Sequence, residues 1–157
     1  MQPIAESPSA SIVLPASDIR VGWKQTFGPL SLSEAEIMEF ARMADPQPIH
    51  IDPVAARQSR FGGIIASGLH PYLKFHIHYW IPLTAAHFIC GIGLDGSRFY
   101  LPVYPDMPLL SQLQIINVVA RPDKGAQFVS WQWDFTTEDG KAVSFVKFTT
   151  YHQLALA

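Results

Sequence analysis

The chain has little of several things. Cys90 is its only cysteine among 157 residues, so no internal disulfide can form, and no CxxC pair offers a metal or redox site. That scarcity points to a reducing, cytoplasmic setting. Charge is also sparse: 15% of residues are charged, the net charge is −2 and the pI is about 6.3. With no basic run there is no electrostatic footprint for nucleic acid. No stretch reaches the roughly 18 apolar residues of a membrane span, so no membrane partner is expected. The opening MQPIAESPSASIVLPAS has no charged segment followed by a long apolar run, and no signal peptide is read there. Internal repeats and an interdomain linker are lacking too. Residues 1–157 therefore read as one domain, with residues 1–16 a loose arm or a segment pinned to a partner.

Apolar residues are plentiful: 48% of the chain is hydrophobic and 12% aromatic, and the mean hydropathy is +0.14. This is high for a free monomer and implies apolar surface buried against a second subunit, so a homodimer or higher homo-oligomer is expected.

The first half reads as one strand and then helices. RVGWKQTFGP (residues 20–29) places Val21, Trp23, Gln25 and Phe27 on one side of a strand. SLSEAEIMEFARMA follows as a helix, with Ser33 and Glu36 spaced as a capping box and Ile37, Phe40, Ala41 and Ala44 forming an apolar stripe. It ends near Ala44, because Asp45 precedes Pro46 and a residue before proline is pushed out of the helical region. Asp52 and Pro53 then suit the cap and first position of a short helix. SGLHPYLKFHIHYWI reads as a helix capped by Ser67, apolar on most faces and therefore buried. In the second half SRFYLPV, LLSQLQIINVVAR, AQFVSWQWDFTT and AVSFVKFTTYHQL read as strands, and PDKG and EDGK as hairpin turns between the last three. One strand, helices and four or so antiparallel strands fit an α+β fold in which a curved sheet wraps a buried helix.

Chemistry concentrates in FARMADPQPIHIDP. Asp45 and His50 lie five residues apart. A helix would separate them by about 140° and a strand would put them on opposite faces. A turn stiffened by Pro46 and Pro48 can instead bring a carboxylate and an imidazole together without ordering them at each turnover. A helix-ending Asp-Pro and a solvated loop histidine are the bland alternative. His76 and His78 form an HxH pair that points to different faces of a helix, a poor chelate, so no metal is expected. His76 is read as a core histidine or as lining a ligand pocket. Asp52 is read as a cap, Asp95 and Asp106 as turn residues.

The segment FARMADPQPIHIDPVAARQSRFGGIIASGL resembles the hydratase signature of the MaoC-like family, the (R)-specific enoyl-CoA hydratases. The matching positions are Asp45, Pro48, Ile49, His50, Ala56, Ile64, Ile65, Ala66 and Gly68. RFYLPVYPDMPL resembles a later strand of that family, and the likeness runs from about residue 20 to 150. Three departures stand out: Gln47 replaces the usual Asn, Ser67 replaces a common His, and YPDMPL lacks the usual Gly-Asp pair. The resemblance implies the hot-dog fold, a long central helix wrapped by a curved antiparallel β-sheet, with the site near a dimer interface. It further implies a hydro-lyase acting on an α,β-unsaturated acyl-CoA thioester, with CoA as part of the substrate and no separate cofactor. Asp45 and His50 would activate a water, and the backbone N–H of Gly68 would receive the thioester oxygen, with Ser67 and His76 as further substrate-binding candidates. A hot-dog acyl-CoA thioesterase and a non-catalytic acyl-CoA-binding subunit are the alternatives. Acyl length, branching, the direction of reaction and the CoA-binding residues stay open.

Overall fold

In a computed structural model that describes residues 12–155, five antiparallel strands form one sheet in the order β1-β3-β4-β5-β2. The strands are β1 (Lys24–Leu30), β2 (Phe88–Phe99), β3 (Leu109–Arg121), β4 (Ala126–Thr137) and β5 (Ala142–Gln153). Between β1 and β2 run α1 (Glu34–Ala44), α2 (Pro48–Ile51), α3 (Pro53–Gln58) and a central helix. The central helix is α4 (Leu69–Phe75), a π turn (His76–Trp80) and α5 (Ile81–Thr84) in unbroken succession. This is the hot-dog arrangement that the sequence resemblance implies. No helix among the described residues is long and apolar enough to cross a membrane.

The alternation of β4 explains how sheet and helix meet. Val129, Trp131, Trp133 and Phe135 point to one face and are fully buried. From the helix, Phe75 meets Trp133 and Phe135 edge-on at 6.2 and 5.2 Å, and Trp80 meets Trp131 at 6.1 Å. Helix α1 begins with the expected capping box: Ser33 N–H donates to Glu36 Oε2 at 2.8 Å, and Glu36 N–H donates to Ser33 Oγ at 3.3 Å. Lys74 on the central helix donates to Glu36 Oε1 at 2.7 Å, tying the two helices together. Burial opposes the Glu36 charge, but the hydrogen bonds from Lys74 and Ser33 outweigh it and hold the carboxyl at about 2.

Several expectations need correction. The first strand starts at Lys24; Val21 precedes it and is exposed. SRFYLPV is not a strand of its own: Ser97–Phe99 ends β2, and Tyr100–Val103 leaves the sheet. Asp95 lies in β2 rather than a turn, and accepts from Thr149 Oγ1 at 2.5 Å. Asp106 does sit in a turn, with φ +59°. The central helix is not buried all round, since Leu69, Ile77 and Ile81 are exposed on its outer face. Residues 1–11 of the expected arm lie outside the described residues, but Leu14 is docked on the body. Its N–H donates to Leu83 O at 2.9 Å, and its carbonyl accepts from His87 Nε2 at 2.8 Å. A carbonyl only accepts, so the His87 proton sits on Nε2, and bare Nδ1 accepts from His152 Nδ1 at 2.8 Å. His152 Nε2 in turn accepts from Thr150, and Thr150 accepts from Trp131 Nε1 at 2.7 Å. Every member of this buried chain is neutral and satisfied.

Candidate active site

The loop after α1 is held by its backbone. Asp45 is the last residue to donate into α1, its N–H reaching Ala41 O at 2.9 Å, and its φ of −158° and ψ of 72° lie outside the helical region, which Pro46 disfavours for its neighbour. Gln47 N–H donates to Asp45 O at 2.8 Å, and His50 N–H donates to Gln47 O at 2.8 Å. Pro48 takes the first position of α2, where a missing N–H costs nothing. Asp52 Oδ1 then caps α3 by accepting from Val54 N–H at 2.9 Å and Ala55 N–H at 3.1 Å, as expected. The Gln47 side chain makes no capping bond, so the change from the family's Asn leaves these loop bonds intact.

This folding brings Asp45 and His50 together. His50 is buried, and its Nδ1 lies 2.7 Å from the carbonyl of Ile65. The carbonyl can only accept, so Nδ1 carries a proton, and in the neutral tautomer that this selects, Nε2 presents a lone pair. Nε2 stands 3.5 Å from Asp45 Oδ2. That is too long for a direct N–H···O bond. Two acceptors at this separation suit a single molecule that donates one hydrogen to each, as water does. Ser67, also buried, donates its hydroxyl to the same Oδ2 at 2.7 Å and fixes the carboxylate plane.

A cavity of about 280 Å³ opens beside the imidazole. Its walls include His50, Ile65, Gly68, Pro71, Phe99 and Val103, so it is largely apolar. Asp45, Ser67 and His76 are not among its lining residues. Gly68 precedes the central helix, and its N–H has no backbone or side-chain acceptor among the described residues. The helix start adds partial positive charge there. A Cβ at Gly68 would lie 2.7 Å from the Phe99 ring, so only glycine lets ring and backbone pack this closely.

The structure thus brings Asp45 to His50, and places His50 and Gly68 on one cavity. Ser67 does not cap the central helix as expected: Gly68 holds that position, without a side-chain cap, and the Ser67 hydroxyl turns to Asp45. Nothing local in the sequence signals this bond, which spans 22 residues. The Ile65 carbonyl and the Phe99 ring were likewise not singled out in the sequence, one being backbone and the other set by β2 pairing. His76 lies away from His50. It stacks on Trp80 at 4.5 Å and tilts against Tyr72 at 5.4 Å. His78 instead sits edge-on to Tyr79 at 4.8 Å.

Comparison with known proteins places this geometry in context. The family described as MaoC like domain matches residues 18–129. The Bacillus subtilis (strain 168) protein YdeM, itself uncharacterised, is 36% identical over 90 residues, a stretch covering 56% of this chain and 63% of YdeM. The chain thus spans less than two thirds of that relative. Among solved structures, a monoamine oxidase regulatory protein from Archaeoglobus superposes with a TM-score of 0.81 at 20% identity, covering 94% of this chain and 99% of that one. A MaoC-like dehydratase from Rhodospirillum rubrum gives 0.76 at 25% identity, covering 90% and 97%. An (R)-hydratase from Pseudomonas aeruginosa gives 0.65 at 20% identity, covering 91% of each chain. At 20% identity the first and third of these speak for the fold alone.

Proposed function

We propose, from the premise that this chain belongs to the MaoC-like domain family, that it is a hydro-lyase of the (R)-specific enoyl-CoA hydratase type. It adds water to an α,β-unsaturated acyl-CoA thioester, or removes water from the hydroxyacyl product. The observation that carries this reading is the 3.5 Å approach of His50 Nε2 to Asp45 Oδ2, with Nδ1 pinned to Ile65 O, beside an apolar cavity.

In this reading one water donates to Nε2 and to the Asp45 carboxylate. As its oxygen bonds to C3, Nε2 takes the proton and the C2–C3 electron pair moves toward the thioester. Charge builds on the thioester oxygen, which the Gly68 N–H receives. The imidazolium, steadied by the Asp45 carboxylate, then returns the proton to C2. Water and substrate atoms balance, and no separate cofactor enters.

The same reading includes a homodimer. Strand β2 is an edge strand, exposed along its whole length, and shows Phe88, Ile89, Ile92 and Leu94 to solvent. An unpaired apolar edge is a template for a second copy of the same strand.

The test is the loss of enoyl-thioester ultraviolet absorbance with a panel of trans-2-enoyl-CoAs, with Asp45→Asn alongside. Rapid loss in the wild type, absent in the variant and without free thiol, supports hydration. Free thiol release would replace hydration by thioester hydrolysis. Acyl-CoA affinity without turnover in a folded dimer would leave a binding subunit.

A further inference from the structure

A second cavity, of about 340 Å³, is walled by the same elements as the first, farther along them. Both cavities are walled by the central helix, β5 and β2, and their positions advance together. The first takes Gly68 and Pro71 from the helix, Val143 and Ser144 from β5, and Phe99 from β2. The second takes Tyr72, His76 and Trp80, then Phe148 to Thr150, then Phe88 and Gly91 to Leu94. The eight residue steps from Gly68 to His76 span ~12 Å of helix. That is the reach of a medium-length acyl chain whose thioester rests at Gly68.

The second cavity is an aromatic box around one imidazole. The His76 ring stacks on Trp80, tilts on Tyr72 and meets Phe148 edge-on at 6.1 Å. Its Nδ1 is sealed from solvent without a partner, and Nε2 has no protein partner among the described residues. A sealed N–H is costlier to leave unmade than a sealed lone pair, so the proton belongs on Nε2, the nitrogen that is not sealed. Burial pushes His76 down to about 4, so at neutral pH the ring is an uncharged donor. A carboxylate among these rings would face no countercharge. A neutral oxygen would meet a donor.

We propose that the distal end of the acyl group lies in this box and carries a neutral hydrogen-bond acceptor (a hydroxyl, carbonyl or ether oxygen) that receives the His76 N–H. This rests on the thioester reading above and names the substrate class for that site.

The experiment compares an unsubstituted medium-chain trans-2-enoyl-CoA with its ω-hydroxy and ω-carboxy analogues, in the wild type, His76→Leu and His76→Gln. The matching saturated acyl-CoAs, which cannot react, are titrated by calorimetry. The wild type should favour the ω-hydroxy over the unsubstituted thioester by about tenfold in kcat/KM, the worth of one hydrogen bond. It should disfavour the ω-carboxy form. His76→Leu should erase the preference, and His76→Gln, which keeps a donor, should retain part of it. Equal rates for the hydroxy and unsubstituted thioesters in the wild type overturn the proposal, as does a preference untouched in His76→Leu. The wild-type ratio decides if the leucine variant does not fold. Hydration without preference leaves the hydratase reading standing and removes this one. A tenfold preference in calorimetry without turnover removes the hydratase reading and keeps the binding role of His76.

Discussion

Replacing Gly68 by alanine separates the site from the fold. The backbone there has φ −57° and ψ −28°, which any residue adopts, so the substitution introduces no backbone strain. The added methyl would lie 2.7 Å from Cδ1 and Cε1 of Phe99, far inside contact distance, so the ring must move. It can, because Phe99 ends an edge strand and is 52% exposed. Alanine restricts the unfolded chain, worth about 0.4–1 kcal/mol, which offsets much of the cost of shifting the ring. We expect a change in Tm of about 4 °C or less. Activity should respond differently. The displaced ring and the methyl both stand where a thioester oxygen must approach the N–H. Losing a donor of this kind typically lowers kcat by roughly 10²–10³, or ~2.7–4 kcal/mol. The assay is kcat and KM on an enoyl-CoA beside thermal unfolding of the same preparation. Activity within about threefold of wild type at an unchanged Tm, less than 1 kcal/mol of effect, would refute the placement of the thioester at Gly68.

Three more outcomes follow from the geometry. Ser67→Ala removes the 2.7 Å bond to Asp45 Oδ2; a hydrogen bond to a charged group is worth about 1.5–3 kcal/mol, so kcat should fall roughly 10- to 100-fold with KM little changed. Ser67→Thr should restore it, and wild-type turnover in Ser67→Ala would show that the bond does not position the carboxylate. Burial holds His70 at about 4 and His152 at about 3, the latter with a further push from His87, all below the ordinary 6.5. The unfolded chain therefore binds more protons between about pH 4 and 6.5, and stability must fall as pH drops through that window, by up to about 1.4 kcal/mol per pH unit for each histidine. Equal denaturation midpoints at pH 7 and pH 5 would contradict this. Ile89→Lys puts a charge on the exposed β2 edge and should convert the proposed dimer to a monomer in light scattering, while an unchanged dimeric mass would move the interface elsewhere.

What the sequence disclosed depended on whether the deciding physics was local. The spans of β3, β4 and β5 were legible because each carries a long stretch of alternation and PDKG and EDGK join them. Strand β2 was hidden: Gly91, Gly93 and Gly96 sit where side chains would mark the alternation, and three register shifts against β5 disturb its period. Its place is fixed by pairing with β5, a long-range fact. The Asp45–His50 pair was legible because proline constrains a neighbour in sequence. The partner of Asp45 was not, because Ser67 arrives from the approach to another helix. That departure from the family's common His is still informative. A serine there is small enough to be buried beside the carboxylate and short enough to donate to Oδ2 itself, the oxygen that faces His50. With that lone pair engaged, the carboxylate is held in one orientation toward the imidazole, and in the proposed reaction a water donating one hydrogen to each finds both acceptors already aligned. In the proposed reaction the serine at residue 67 therefore tunes the Asp45–His50 pair, and what is particular to this chain is read from where it leaves the family pattern.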